Sequence, residues 1–195
     1  MTTHNSKNKV SIRLESGGHS FSEEQLSKAL ASGEGVEVEI ITPRATLMPA
    51  EARLAPAEVL RMAGLAPLAT ECAVESVAVD GRVAVMAVDS ELCARLSGCS
   101  VAYLSPLASV DCSREGVMLN LIGSVIYLHI VEGGVLRVAE ALPVATDADI
   151  LYYLERFNEV YLIYNRAVYI KGDDRLAPIV RRVFKGASIN SVICE

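Results

Sequence analysis

The chain has 195 residues, 51% of them hydrophobic, enough to bury a core as one compact domain or two small lobes. Its formal charge is −6 and no Lys/Arg-rich run is interleaved with aromatics, which removes the electrostatic case for nucleic acid. No uninterrupted apolar stretch reaches the roughly 18 residues of a membrane helix, and the polar segment 1–9 lacks the apolar core of a signal peptide, so a cytoplasmic protein is expected.

The first predicted element is a strand, Val10 to Leu14, alternating apolar and polar and ended by Ser16-Gly17-Gly18. Ser22 with Gln25 has capping-box spacing, and Leu26, Ala29 and Leu30 form an apolar stripe, so a helix is expected over 22–32. Val36 to Ile41 reads as a strand, and Pro43 and Pro49 mark an extended link. Pro56 fits the first turn of a helix with Val59, Leu60 and Ala63 on one face, closed by Gly64. Asp80-Gly81 between Val74–Val79 and Val83–Val88 is a hairpin signal, because both turn residues must reach positive φ. Asp89 caps a helix carrying Leu92 and Leu96, with Glu91 and Arg95 four apart. Val101 to Leu104 is a further strand.

Residues 105–116, with Pro106, small residues and charges but no periodicity, read as a linker between a first lobe (1–104) and a second (117–195). The second lobe opens with three strands, Val117–Leu121, Val125–Val131 and Val135–Leu142, joined at Gly123 and at Glu132-Gly133-Gly134. A helix capped at Thr146 follows, with Ile150, Tyr153, Leu154 and Phe157 on one buried face. Val160–Tyr164 reads as a buried strand, and Ala167–Ile170 either as its partner or as its continuation into a bend. Asp173 caps a last helix with Leu176, Ile179, Val180 and Val183 inward, and Ser188–Ile193 closes the order βββαβαβ.

Candidate chemistry is sparse. Gly133-Gly134 lies between strands without a following helix or a GK[ST] sequence, so it reads as a hairpin turn rather than a phosphate loop. Asp147 and Asp149 diverge on a helix and read as capping residues. His4, His19 and His129 share no metal-ligand spacing, and His129 reads as a core residue. Ser124 lacks a nucleophile-elbow context. The five cysteines (Cys72, Cys93, Cys99, Cys112, Cys194) include no CxxC pair and read as reduced, mostly buried thiols, with Cys93 and Cys99 able to oxidise but lacking a nearby His. Arg175, Arg181, Arg182 and Lys185 read as the solvated face of a helix. Tyr152, Tyr153, Tyr161, Tyr164 and Tyr169 divide between core packing and an interface role, with Tyr152 pointing away from the buried stripe.

The second lobe resembles half of an actin-like fold of the sugar kinase, heat-shock ATPase and actin type, and the first lobe resembles a rougher version of the same plan. The chain is similar to an uncharacterised bacterial family common in Bacteroidetes, domain-of-unknown-function family 3822. The matching pieces are Val10-Ser11-Ile12-Arg13-Leu14 with Ser20-Phe21, the hairpin Glu75 to Val88, and Gly134-Val135-Leu136 leading to Asp147-Ala148-Asp149-Ile150-Leu151-Tyr152-Tyr153-Leu154. The resemblance implies an α/β protein of two similar lobes with mixed sheets and an actin-like, ribonuclease H-like core. It also implies where catalytic motifs would fall. Arg13 stands where an Mg²⁺-binding Asp belongs and Glu15 where a glycine belongs; Asn120 stands in the second Asp position with Ile122 in place of a glycine; Tyr164-Asn165-Arg166 replaces the adenosine-side glycines. The core therefore reads as degenerate. The expectation is a non-catalytic binding or scaffolding protein with no cofactor, a protein partner and a homodimeric state. The alternative is an Mg²⁺-ATP-dependent ATPase or phosphotransferase in which Glu15, Asp80, Asp89 or Asp111 substitutes; a third is a small-ligand binder without catalysis.

Overall fold

A computed structural model of the chain describes residues 10–15, 36–98, 100–184 and 189–191. The expected helix over 22–32, the Ser16-Gly17-Gly18 turn, Ser20-Phe21, His4, His19, Cys99, Lys185 and Cys194 lie outside the described residues. The chain divides into two compact units, Met1–Ser109 and Val110–Glu195.

In the first unit, β-branched residues at every second position make β2 (Val36–Ile41) a strand whose Val36, Val38 and Ile40 are buried. It lies between β1 (Val10–Glu15) and β6 (Val101–Leu104), parallel to both. A second, antiparallel sheet has the order β3-β5-β4, from β3 (Ala45–Pro49), β4 (Glu71–Glu75) and β5 (Arg82–Asp89). The link expected between Pro43 and Pro49 thus contains a strand, with Pro49 at its last position on the sheet edge, where a missing N–H is tolerated. Helix α1 (Pro56–Met62) starts on its proline and stops before Gly64 at φ +73°. Its Val59 and Leu60 pack on Met48, Val83, Val85 and Ala87 of the antiparallel sheet.

Asp80 (φ +47°) and Gly81 (φ +73°) make the expected tight turn, bridged by Val79 and Arg82. The incoming arm is broken, however. Glu75 faces Val85 while Val79 faces Arg82, so one arm carries an extra residue. There the buried Ser76 hydroxyl accepts from Ala84 N (2.9 Å) and donates to Val77 O (2.8 Å). Val77 N donates to Tyr103 O of β6 at 2.8 Å, linking the hairpin arm to the parallel sheet. Helix α2 (Ser90–Leu96) is capped by Asp89, whose Oδ1 accepts from Glu91 N (2.8 Å) and Leu92 N (3.2 Å).

In the first unit β2 runs parallel to β1, with residues 16–35 between the two strands. The stretch 105–116, read as a linker, contains the boundary between the units yet buries Leu107 and Ala108 completely.

The second unit has one five-stranded sheet in the order β11-β10-β7-β8-β9. Strands β7 (Gly116–Ile122), β8 (Val125–Glu132) and β9 (Val135–Pro143) form an antiparallel meander, while β10 (Val168–Gly172) runs parallel to β7 and β11 (Ile189–Ser191) parallel to β10. Between β8 and β9 the turn sits on Gly133 (φ +62°) and Gly134 (φ +71°). Ile130 faces Val138 but Val131 faces Leu136, so Arg137 is a bulge residue on the edge strand β9.

Helix α3 (Asp147–Tyr161) begins with the reach-back half of a capping box. Asp149 Oδ2 accepts from Ala145 N (2.9 Å), Thr146 N (2.7 Å) and the Thr146 hydroxyl (3.1 Å). Ile150 and Leu154 of α3 and Leu176, Ile179 and Val180 of α4 (Leu176–Val183) pack on one face of the sheet with Leu119, Leu121 and Leu128. Fully burying each such side chain is worth about 1.5–3 kcal/mol.

Val160–Tyr164 is not a strand. Helix α3 continues to Tyr161, Leu162 takes the left-handed conformation (φ +52°) that ends it, and Ile163–Asn165 forms a 3-10 turn. Val160 and Leu162 are exposed, so only Ile163 of this apolar run is fully buried. A short apolar run has no period that separates a strand from a helix end.

Candidate functional site

In open sheets with parallel strands, ligands gather beyond the carboxyl ends of those strands. In the second unit these are the ends of β7 and β10, which pair with Lys171 opposite Asn120 and Gly172 opposite Leu121. Gly172 has φ +93°, and a Cβ there would lie 2.0 Å from the Leu121 carbonyl oxygen, so only glycine allows this approach. Asp173 N then donates to Leu121 O at 3.0 Å. Asp173 Oδ1 accepts from Arg175 N (2.9 Å), which starts the turn into α4. The Arg175 guanidinium reaches the turn after β7: Nη2 donates to Gly123 O at 3.1 Å, and Nε lies 3.1 Å from Asp173 Oδ2 as an ion pair without hydrogen-bond alignment.

Asn120 is half-buried at this end of β7, and its Oδ1, within 3.0 Å of where a Gly172 Cβ would be, is buried without a hydrogen-bond partner among the described residues. One cation and one carboxylate therefore engage each other and the backbone, and a neutral amide oxygen is left over. Mg²⁺ is ordinarily held through one or two carboxylates. Among the described residues no group of three or more His, Cys, Asp or Glu side chains is placed to hold a metal ion.

The structure brings Asn120 and Gly123 together with Gly172, Asp173 and Arg175. Within the first unit it does not bring Asp80 and Asp89 together. Arg13, on β1 of the first unit, pairs with Glu39 on β2 (Nε to Oε2, 2.6 Å). Asp80 and Asp89 flank opposite ends of the eight-residue strand β5, about 25 Å long, one paired with Arg82 and the other capping α2. Asp111 belongs to the second unit; hydrogen bonds from Ser113, helped by nearby Arg114, hold its carboxyl below the usual range. Glu15 ends β1.

At the adenosine-side position, the Tyr164 ring packs edge-on to Phe184 (5.0 Å between centroids) and Arg166 Nη1 donates to Glu132 Oε1 (3.3 Å). Burial pushes the Tyr164 phenol well above its ordinary pKa. Gly133-Gly134 is a hairpin turn, and its amides already hold an anion of the chain itself. Glu115 Oε2 accepts from Gly133 N (3.0 Å) and Oε1 from Gly134 N (2.7 Å). His129 is buried in β8 between Met118 and Ala139. Arg181 and Arg182 are exposed on α4, Tyr153 is partly buried against the core, and Tyr152 is exposed. No described helix is long and apolar enough to cross a membrane.

One expectation about the thiols is overturned. Cys72 of β4 and Cys93 of α2 form a disulfide, because β5 holds the two elements side by side although the residues are 21 apart in sequence. Sequence reading also missed Gly172 and the reach of Arg175. Gly-Asp between an apolar strand and a helix is the available signal; Asp173 is not the expected cap, since the N-cap of α4 is Arg175, whose amide donates to Asp173.

A crystal structure of a Bacteroides thetaiotaomicron protein, described as having an actin-like ATPase fold and unknown function, aligns with this chain at a TM-score of 0.61 and 16% identity, covering 81% of this chain and 68% of that one. The shared fold is actin-like. At that identity the likeness extends to the fold alone. No family model matches the chain. No curated protein matches it either. Within the actin-like fold, the β7–β8–β9 meander, α3, β10 and α4 place Asn120 and the Gly172–Arg175 segment at one end of the sheet.

Proposed function

We propose that this chain is a non-catalytic binding or scaffolding protein on a degenerate actin-like core, a member of domain-of-unknown-function family 3822 acting in the cytoplasm on a protein partner. Two related lobes and a homodimeric state belong to the same proposal. The observation that carries it is the state of the strand ends in the second unit: Asn120 supplies an amide where a metal-binding carboxylate is required, and Asp173 is engaged by Arg175. A neutral amide and a neutralised carboxylate give Mg²⁺-nucleotide little electrostatic attraction.

Asn120 Oδ1, without a hydrogen-bond partner among the described residues, favours one second reading, a small ligand whose donor group meets that oxygen, with or without phosphoryl transfer. Isothermal titration with Mg²⁺-ATP, and with ADP in parallel, separates the scaffold reading from the nucleotide form of the second. The scaffold reading expects no heat at millimolar nucleotide. Micromolar, Mg²⁺-dependent binding would overturn it and make the ATPase or phosphotransferase reading the leading one.

A further inference from the structure

Helix α2 is poorly anchored by packing. It has seven residues, too few to stand alone in water, and Leu96 is its one fully buried side chain. Its amino end is tied by the Asp89 cap and by Ser90 N donating to Thr70 O at 2.9 Å. Past that first turn, the Cys72–Cys93 disulfide ties the middle of α2 to the second residue of β4. Both cysteines are half-buried rather than sealed in the core, so small thiols and disulfides can reach them.

We propose that Cys72 and Cys93 form a reversible thiol–disulfide switch that fastens α2 to β4. The oxidant is a low-molecular-weight disulfide such as glutathione disulfide. One cysteine thiolate attacks a sulfur of that disulfide, forming a mixed disulfide and expelling one glutathione thiolate. The second cysteine thiolate attacks the protein sulfur of the mixed bond, forming Cys72–Cys93 and expelling the other glutathione thiolate. Two electrons pass from the protein thiols to glutathione disulfide, and the protons lost by the cysteines end on the two glutathione thiols. Reduction by excess thiol runs the same steps backwards and removes that tie between α2 and β4. This inference does not depend on the scaffold reading.

The test equilibrates the full chain in glutathione buffers from reducing to oxidising, quenches in acid, alkylates and maps the peptides by mass. The switch expects Cys72 and Cys93 to lose alkylation together as glutathione disulfide rises, with a loss of two hydrogens from the intact mass and full recovery in excess dithiothreitol. A stable glutathione adduct on either residue, alkylation of both under oxidising conditions, or a bond that resists dithiothreitol would each overturn it. Hydrogen exchange supplies the mechanical readout: amides of residues 91–97 should exchange about tenfold more slowly in the oxidised protein. The Cys93→Ser variant should exchange at the reduced rate in every buffer. Equal exchange in oxidised and reduced wild type, or a redox response surviving in Cys93→Ser, would also reject the proposal.

Discussion

Replacing Gly172 by alanine tests the junction on which the candidate site rests. The new Cβ would meet the Leu121 carbonyl oxygen at 2.0 Å and its carbon at 2.8 Å, both backbone atoms of the central strand β7. Three costs combine. Holding a non-glycine residue at φ +93° costs about 1–3 kcal/mol. Forcing β10 away from β7 resembles overpacking, at about 1–3 kcal/mol. Separation also stretches the 3.0 Å bond from Asp173 N to Leu121 O, worth about 1 kcal/mol. The sum is about 3–7 kcal/mol, which for a unit of this size lowers the melting temperature by roughly 12 °C or more. Gly134→Ala is the control, because Gly134 also has positive φ (+71°) but nothing within 4 Å of its would-be Cβ. It should lose only about 1–2 kcal/mol. Urea unfolding followed by circular dichroism reads both. Equal losses in the two variants would refute the close approach of β10 to β7.

Two further outcomes follow from helix α3. The Asp149 carboxyl is held below its ordinary pKa, chiefly by the Thr146 and Ala145 amides and then by the Thr146 hydroxyl. A depressed folded pKa gives stability that is present above the unfolded pKa and lost as pH falls through the folded one; the melting-temperature gap between wild type and Asp149→Asn should therefore be widest near neutral pH and close on acidification, and a pH-independent gap would contradict the cap. Leu162 is exposed and left-handed at the end of α3, so Leu162→Gly should stabilise the protein by about 1 kcal/mol, seen as a higher urea midpoint; a lower midpoint would mean that the Leu162 side chain contributes more than its backbone costs.

Where short-range chemistry decides the structure, the residues were legible. Asp80-Gly81 needed two left-handed positions and has them, Asp89 caps α2, and Thr146 with Asp149 opens α3. The failures share a cause of another kind. Val160–Tyr164 looks buried because it is apolar, but Val160 sits on the exposed side of α3 and Leu162 is exposed where the helix ends. Cys72 and Cys93 become neighbours only through the pairing of β4 with β5. The candidate site was half visible: Asn120 was found because the resemblance pointed to β7, whereas Arg175 reaches Gly123 from 52 positions away. That contact exists only once β10 lies parallel to β7, and no local pattern encodes it.

The bulge at Arg137 bears on how copies of this protein could associate. An edge strand of nine residues would otherwise offer a straight row of backbone donors and acceptors for another strand to zip onto. Arg137 kinks that row and sets a cation on it, and Pro143 removes the donor at its far end. The sheet is thus finished on its β9 side, in the way a hem finishes cloth. A dimer of this chain that extended the sheet across that border would have to accommodate both the kink and the missing donor.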